Sequence, residues 1–442
     1  MSQIISISQL TKKQQLSLIA ELSITEILPV KPGQKKPEAS KDPVLCYMKD
    51  QDDPGDKLRI PFTYALEKNA TTNDELHETR REFTKRSDVT LNDFQRIEAK
   101  KMVEHLRTHR TTTLCLSTGG GKTAVSCVIT TLLKQRTVVL VQNKVLLEQW
   151  KNEGEKFTTA KVEIVGEGGI EDSDADIFIC HIMRAHKISK EIRDTIGFVV
   201  VDESHKHCNQ TGANALLYFT PKFMLACSAT PSRSRDGMYR VMDLFFGKHQ
   251  VKNKTKKENM IVHRIKTEYT AEIVKGSRGI SWSTYIQSLL YNQERNYKIV
   301  DGVMGDVAEG ARVMIITSEK KHVQVLYDMF LEVHDSIDWL SGNKKSYKCC
   351  DVLISNIQKG GCGFDDANFC EDFDGKRIDT VWIVTEIANP ESAEQAIGRS
   401  RDKKPKIKQL VDNEKLADRH WQVCRKVYLE CGAKIEYDKL NW

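Results

Sequence analysis

Short apolar runs alternate with helical patterns through most of the chain, from about residue 86 onward. The runs TLCLST, TVVLVQ, DIFIC, GFVVVDE and MLACSAT are rich in β-branched residues and show no apolar-polar alternation. Stretches with helical periodicity, such as KVLLEQWKNEGEKF, lie between them. Unbroken apolar strands separated by helices are typical of a parallel sheet that is covered on both faces. The pattern therefore predicts an α/β domain.

A second series of the same kind follows. It contains the apolar runs RVMIITS, CDVLISN and DTVWIVTE and the helical stretches HVQVLYDMFLEV and ESAEQAIGRS. Between the two series, the lysine-rich segment GKHQVKNKTKKEN lacks apolar periodicity and predicts an exposed linker. The chain is therefore divided into an N-terminal extension or small domain 1–85, a first lobe 86–246, the linker 247–259 and a second lobe 260–442. The N-terminal region is polar, carries no recognisable motif, and has predicted helices at 8–22 and 72–86.

Composition narrows the class of protein. A chain of 442 residues, 40% hydrophobic and 29% charged, is long enough for two or three domains of ordinary soluble type. Its longest apolar runs of four to six residues predict no membrane span, and the N-terminus lacks a secretory signal pattern. Its 12 cysteines form no C-x-x-C pair, which favours reduced thiols in an intracellular compartment such as the cytosol or nucleus. The net charge of +6 permits a polyanionic partner.

The stretch LSTGGGKT follows an apolar strand and precedes a helix. Its glycines can bring backbone N–H groups close to a phosphate at a helix N-terminus, where the lysine and threonine would contact phosphate and magnesium. The standard phosphate-loop pattern has glycine where this chain has leucine, so a helix-capping turn with an incidental Gly-Lys pair stays open. The candidate loop comprises Leu116, Ser117, Thr118, Gly119, Gly120, Gly121, Lys122 and Thr123.

Two adjacent carboxylates, Asp202 and Glu203, end the apolar strand GFVVVDE about 80 residues later. Carboxylates in that position are costly inside a core but suit a magnesium ion bound to a nucleotide. We expect Asp202 to hold the metal with Thr123, and Glu203 to orient or deprotonate the attacking water. The nearby His205, His207 and Cys208 lack the second ligand pair that a zinc site needs.

These motifs resemble those of superfamily 2 helicases. STGGGKT, DESH and CSATPSR are similar to motifs I, II and III, and the family's T-G-x-G-K-T pattern does not need the missing glycine. Upstream, Gln95 in LNDFQ resembles the adenine-sensing glutamine, and QNKVLLEQW resembles P-T-x-x-L-x-x-Q-W, with Asn143 in place of threonine. In the second lobe, RVMIITSEKKH, ISNIQKGGCGFDD and EQAIGRSRD resemble motifs IV, V and VI. The last one departs from the family because Asp402 stands where its final arginine is expected, and Arg401 lies one residue early.

The resemblance implies two tandem RecA-like lobes with ATP and Mg²⁺ between them, and hydrolysis coupled to lobe closure. It implies phosphate contacts from Lys122, from Arg399 and from Arg401, which lies one residue early, and a ribose-side position for Asp365. It also implies coupling to nucleic acid through a further set of residues. That set is Asn143, Ser228, Ala229, Thr230, Asn356 and Gln395.

The QW helix, DADIFICHI and RNYKI look most like one branch of the superfamily. It contains the phage recombination helicase, the TFIIH translocase subunit and the poxvirus transcript-release helicase with its relatives in large DNA viruses. Three functions stay open: a DNA helicase or translocase in viral transcription, recombination or repair; an RNA helicase; and an ATP-gated assembly protein that does not unwind. A DNA helicase or translocase would contact DNA phosphates and proteins of the transcription machinery. The sequence leaves the oligomeric state open.

Overall fold

The structure is a computed structural model. It describes residues 3–28, 38–50, 54–68, 81–116, 120–228, 237–253, 259–271, 275–276, 279–357, 359, 364, 366–400 and 404–439. The chain divides into two compact units, the first extending to Asn253 and the second following it. No helix within these described ranges is long and apolar enough to cross a membrane. Every cysteine that they include carries a free thiol.

The N-terminal region forms two small antiparallel sheets within the first unit. One has the strand order β1-β5-β4 and the other pairs β2 with β3. Its elements are β1 (Gln3–Ser6), α1 (Lys12–Glu21), β2 (Ser23–Ile24), β3 (Val44–Leu45), β4 (Met48–Lys49), β5 (Lys57–Ile60) and α2 (Phe62–Glu67). Leu22, Ile24 and Phe62 belong to the same apolar core as Val199 and Val201 of the first lobe. The region therefore packs on the first lobe through a shared core.

The helix predicted at 8–22 is present, and it starts at Lys12 because Thr11 and Gln14 form a reciprocal capping box. The helix predicted at 72–86 is wrong in its described part, residues 81–86, while 72–80 lie outside the described residues. Those six residues run extended because their backbone groups bond to the first lobe. Arg81 N–H donates to the Lys134 carbonyl, and Arg86 N–H donates to the Phe157 carbonyl.

The first lobe is a seven-stranded parallel sheet with the order β12-β6-β11-β10-β7-β9-β8. Its strands are β6 (Thr111–Leu116), β7 (Thr137–Val141), β8 (Val162–Ile164), β9 (Ile177–His181), β10 (Phe198–Val201), β11 (Phe223–Cys227) and β12 (Gln250–Asn253). Its helices are α3 (Asp93–His109), α4 (Lys122–Leu133), α5 (Lys144–Phe157), α6 (Lys190–Arg193), α7 (Gln210–Leu217) and α8 (Tyr239–Phe246), with 3₁₀ turns at Ile182–Lys187 and Ser204–His207. All residues of the central strands β6, β7, β10 and β11 are buried, as the unbroken apolar runs predict.

Strand β12 differs from the sequence-based division, which places its residues in the linker. Gln250 to Asn253 pair in parallel with Thr113 to Leu116 and extend the sheet by one edge strand. Only Val251 of this strand is fully buried, at 6% exposure. A single apolar position among lysines gives no strand periodicity, and the pairing is set by the exposed edge of β6.

The second unit is another seven-stranded parallel sheet, with the order β17-β18-β16-β19-β20-β13-β21. Its strands are β13 (Ile261–Lys266), β16 (Val313–Thr317), β17 (Ile337–Leu340), β18 (Val352–Asn356), β19 (Thr380–Ile383), β20 (Lys406–Val411) and β21 (Lys434–Lys439), and a separate hairpin joins β14 (Lys275–Gly276) to β15 (Gly279–Ile280). Its helices are α9 (Trp282–Leu290), α10 (Gln293–Ala308), α11 (Lys320–Leu331), α12 (Asp366–Phe369), α13 (Pro390–Ile397) and α14 (Lys415–Glu430). Two parallel sheets flanked by helices confirm the predicted pair of RecA-like lobes.

Candidate active site

The candidate residues of the first unit gather at one edge of its sheet. Strands β6, β11, β10 and β7 are consecutive neighbours and all parallel, so their carboxyl ends lie side by side. The segments that follow these ends carry Lys122, Ser228, Asp202 and Asn143, respectively. Ligands of open parallel sheets bind outside the carboxyl ends of the strands. The fold thus brings together four motifs that are up to 106 residues apart in the sequence, between Lys122 and Ser228.

The phosphate-loop candidate ends in a glycine that the geometry requires. Gly121 caps the N-terminus of α4 with φ +82°, in the left-handed region, and a Cβ built on it would overlap the Nε2 atom of Gln95. Lys122 begins α4, and its Nζ donates to the Leu116 carbonyl at 3.3 Å, folding back over the loop. Gly120 and Thr123 are half-buried beside it, whereas Ser117, Thr118 and Gly119 lie outside the described residues.

Gln95 lies against this loop because it also takes part in the start of α3. The Asn92 side chain accepts from Gln95 N–H at 2.8 Å, and Gln95 Oε1 accepts from Asn92 N–H at 3.1 Å. This capping box fixes the glutamine side chain, whose Nε2 then faces Gly121. The predicted adenine-sensing residue is therefore held beside the predicted phosphate loop.

Asp202 is buried at 7% exposure directly after β10. Its Oδ2 accepts from Trp150 Nε1 and its Oδ1 accepts from Glu203 N–H, both at 2.9 Å. Burial and the neighbouring Glu203 carboxylate raise the pKa of Asp202 to about 6, and the indole bond and the Lys122 charge oppose that rise. The Lys122 ammonium thus favours the ionised form of Asp202.

A short polar chain leads from Glu203 to the third motif. Glu203 has φ +44°, and its Oε2 lies 3.6 Å from His205 Nδ1 in the 3₁₀ turn that follows. The same His205 nitrogen lies 2.7 Å from Ser228 Oγ, at the carboxyl end of β11. All three side chains are shielded from solvent. His205 therefore contacts both Glu203 and Ser228, while the next predicted residues, Ala229 and Thr230, lie outside the described ones.

Asn143 occupies the N-cap of α5, where its Oδ1 accepts from Leu146 N–H at 2.9 Å. The substitution from the family's threonine thus keeps a residue type that caps helices well. The helix that Asn143 starts contains Trp150, which donates the hydrogen bond to Asp202. The predicted role of Asn143 in nucleic-acid contact stays a prediction.

The second unit places its predicted residues at two locations. Asn356 ends β18 and is 1% exposed. Gln395 is half-buried on α13, and Arg399 follows that helix at 2% exposure, with its Nη1 donating to the Phe364 carbonyl at 2.6 Å. Its guanidinium carbon also lies 5.7 Å from the centre of the Phe364 ring. Asp365 and Arg401 lie outside the described residues.

Comparisons with known proteins agree with this arrangement. Residues 88–233 match the family described as the res subunit of type III restriction enzymes. The helicase 161L of Invertebrate iridescent virus 6 is 26% identical over 79% of this chain and 83% of its own. The helicase 109L of Invertebrate iridescent virus 3 is 32% identical over 51% of this chain and 72% of its own length. The chain belongs to the superfamily 2 helicases. As a member, this helicase binds ATP and hydrolyses it in a nucleic-acid-dependent manner.

A third relative of this helicase comes from another group of large DNA viruses. The transcript termination protein A18 of Myxoma virus is 25% identical over 70% of this chain and 69% of its own. Among solved structures, a point variant of S. cerevisiae Dbp5 bound to RNA and ADP BeF3 has a TM-score of 0.52 at 12% identity, covering 77% of this chain and 93% of its own. The type ISP restriction-modification enzyme LlaBIII bound to DNA has a TM-score of 0.53 at 13% identity, over 80% of this chain and 31% of its own. At these identities, the solved structures support the fold alone.

The residues of this helicase fit a magnesium nucleotide. The described residues contain no cluster of three His, Cys, Asp or Glu side chains that could hold a metal unaided. Mg²⁺ in such enzymes takes one or two protein oxygens and completes its shell with phosphate and water. A buried carboxylate whose pKa is raised by a second carboxylate gains from a bound cation, and Asp202 meets this condition. Thr123 would supply the hydroxyl.

Two residues that contact the site of this helicase, Trp150 and His205, are not among those that the sequence predicts for it. The sequence places Trp150 in the QW helix and His205 in a histidine-rich turn without the ligands that zinc needs. A buried Trp after an apolar helical face predicts core packing, and nothing in its spacing indicates a hydrogen bond to Asp202. The DESH motif itself contained the signal for His205, since a histidine two residues after a carboxylate can contact it in a turn.

Proposed function

We propose that this helicase uses ATP hydrolysis to move along DNA and to release transcripts during viral transcription. The observation that carries the proposal is the placement of Lys122, Asp202 and Glu203 at one edge of the sheet, where Asp202 is a buried carboxylate. The A18 relative, named for transcript termination, supports the transcriptional role. Partner proteins from a transcription complex would then be needed for release, and the reduced thiols suit an intracellular site such as a viral factory.

In the proposed mechanism, the N–H groups of the loop around Gly121 and the ammonium of Lys122 bind the β and γ phosphates. Asp202 and Thr123 would hold Mg²⁺, which when bound offsets the charge that develops on the transferring phosphoryl group. Glu203 accepts a proton from the attacking water or orients it. The family resemblance implies a contact from Arg399 to the γ phosphate, and such an arginine contributes roughly 10³ to 10⁵ in rate in related phosphoryl transfers.

The chain from Glu203 through His205 to Ser228 provides a route from chemistry to movement. When the γ phosphate leaves, the charge around Glu203 changes, and its contact with His205 responds because the two atoms are only 3.6 Å apart. His205 is also 2.7 Å from Ser228, so the response reaches the third motif. We infer that this motif passes the state of the nucleotide to the residues that hold the strand.

The proposed contacts to nucleic acid read phosphates and not bases. Binding should therefore weaken steeply with salt and vary little with sequence. Asn143 follows β7 and Asn356 is the last residue of β18, and the two mark the loops that we assign to these contacts. Movement in the 3′ to 5′ direction on DNA is the polarity that the family resemblance favours.

A steady-state ATPase assay with duplex DNA, single-stranded DNA and RNA of equal length tests the proposal. We expect either form of DNA to stimulate turnover more than RNA. Greater stimulation by RNA would replace the DNA assignment with an RNA helicase. Nucleic-acid binding without strand displacement or duplex translocation in ATP would favour an ATP-gated assembly protein.

Two variants separate the proposed chemistry from the fold. Lys122→Ala should abolish hydrolysis and leave the thermal transition in place, because the half-buried lysine contributes a phosphate contact rather than core packing. Glu203→Gln should bind ATP but not turn it over. Near-normal turnover in Glu203→Gln would show that a different group prepares the water.

A further inference from the structure

A groove of about 970 Å³ lies in the first unit, and the active site makes no use of it. It is bounded by α3, α4 and the extended segment before α3. Its floor is apolar and nearly buried, formed by Leu91, Ala99, Val103 and Val128. Leu132 stands on its wall with 47% of its surface exposed. An apolar surface of this kind gains free energy when a partner covers it.

The rim of the groove is basic. Arg96, Lys100 and Arg107 line it from one face of α3, and Lys85 lines it from the preceding segment. At 1.5 Å per residue, Arg96 and Arg107 are about 16 Å apart along the helix axis. Arg96 pairs with Asp93, whereas Lys100 and Arg107 form no ion pair with the acidic side chains of the described chain. Glu104 is the one acidic residue among the lining positions, so positive charge dominates the rim.

We propose that this groove binds an acidic amphipathic helix of a partner protein. Such a helix presents apolar side chains at i, i+3, i+4 and i+7 to a groove, and its glutamates or aspartates would meet the row of cations on α3. The length of the basic row fits about three turns of helix. A nucleic-acid backbone would satisfy the cations but leave Val103, Val128 and Leu132 uncovered, so the combination favours a peptide.

The groove is connected to nucleotide binding through its walls. Helix α3 carries Gln95 and helix α4 starts at Lys122, and Gln95 Nε2 already fills the space beside Gly121. A helix seated against both α3 and α4 would hold their spacing and with it this contact. We therefore expect the occupant to change the KM for ATP, an effect that rests on the proposed ATPase function, whereas the docking itself does not.

The test uses the full chain and a fluorescein-labelled designed peptide with leucines at i, i+3, i+4 and i+7 spacing and glutamates elsewhere. Fluorescence anisotropy should show saturable binding that a peptide of the same composition without helical spacing does not reproduce. Lys100→Glu with Arg107→Glu should weaken binding about tenfold or more because it reverses the charge of the rim. Leu132→Asp should also weaken binding because it replaces an apolar side chain of the groove wall by a charged one. Lys426→Glu with Arg419→Glu, the same charge change at two exposed positions of α14, serves as the matched control and should bind like wild type.

Several results would overturn the proposal. Equal binding of the two peptides, or equal binding by the groove variants and wild type at unchanged melting temperature, would refute the docking site. Displacement of the peptide by single-stranded DNA, with DNA affinity lowered by the same variants, would assign the groove to nucleic acid. A wild-type dimer that the variants convert to monomer in light scattering would assign it to a second copy of the chain. If the peptide binds as expected while no nucleic acid stimulates ATPase, the docking stands and the proposed function fails.

Discussion

Replacing Trp150 by phenylalanine tests the view that this indole adjusts the carboxylate of Asp202, which we propose to hold Mg²⁺. Trp150 is 2% exposed, and its Nε1 donates to Asp202 Oδ2 at 2.9 Å. Phenylalanine keeps an aromatic ring in the core but removes the donor. Asp202 retains the N–H of Glu203 on its other oxygen. The change therefore removes one stabilising contact to the ionised carboxylate and leaves the chain around it in place.

The size of the effect follows from the nature of the bond. A hydrogen bond to a charged group contributes ~1.5–3 kcal/mol, which is roughly a ten- to hundredfold change in the preference for carboxylate over acid. Since the pKa of Asp202 is already raised to about 6, losing the indole moves it further upward into the neutral range. Protons then compete with Mg²⁺ at pH 6.5, whereas the carboxylate is ionised in both proteins at pH 8.5.

The measurement is ATPase rate against Mg²⁺ concentration at pH 6.5 and pH 8.5. In Trp150→Phe we expect the Mg²⁺ requirement to rise several-fold at pH 6.5 and to return close to wild type at pH 8.5. Trp382→Phe is the matched control, because Trp382 is also buried and donates to an aspartate, Asp306, at 2.7 Å in the second unit. An equal loss at both pH values, or the same pH dependence in the control, would refute the reasoning.

Three further predictions concern other parts of the molecule. Gly121→Ala should raise the KM for ATP at least tenfold, because the residue has φ +82° and its Cβ would overlap Gln95; an unchanged KM would contradict the loop geometry. Burial lowers the pKa of His322 from 6.5 to about 3, so the unfolded chain binds a proton between pH 7 and pH 5.5 that the folded chain does not. The free energy of unfolding of the second unit should therefore fall by ~1 kcal/mol over this pH range. His322→Gln should lose this part of the slope in urea titrations. Arg295→Met should destabilise the second unit by ~3–5 kcal/mol, since it leaves Asp412 buried without its cation, and a loss below ~1 kcal/mol in the same titrations would show that the pair matters little.

Much of this architecture follows from local pattern, and the exceptions share a physical cause. Strands such as Phe198–Val201 are predictable because a strand buried on both faces must be apolar at every position. The same pattern does not tell which strands are neighbours in the sheet. It also misses the edge strand β12, because only one residue of that strand, a valine, is buried. Parallel pairing then determines which loops meet. Each motif could therefore be identified from its own local pattern, but its neighbours at the sheet edge could not.

Contacts between side chains were less accessible to sequence reasoning. The capping box at Asn92 is a local signal, but the approach of Gln95 to Gly121 depends on how α3 packs beside α4. The same holds for Trp150 with Asp202, and for His205 with Ser228, which are 23 residues apart. Each pair joins groups that only the sheet order brings together.

The double use of Gln95 has an evolutionary consequence. One side chain both begins a helix and occupies the space beside the nucleotide loop, so a substitution there alters the secondary structure and the ligand pocket in a single step. A lineage that changed this side chain would keep the Asn92 cap on the N–H of residue 95 but would lose the acceptor of the Asn92 N–H. We expect such drift to be rare, and to be accompanied by a new acceptor for that N–H when it occurs.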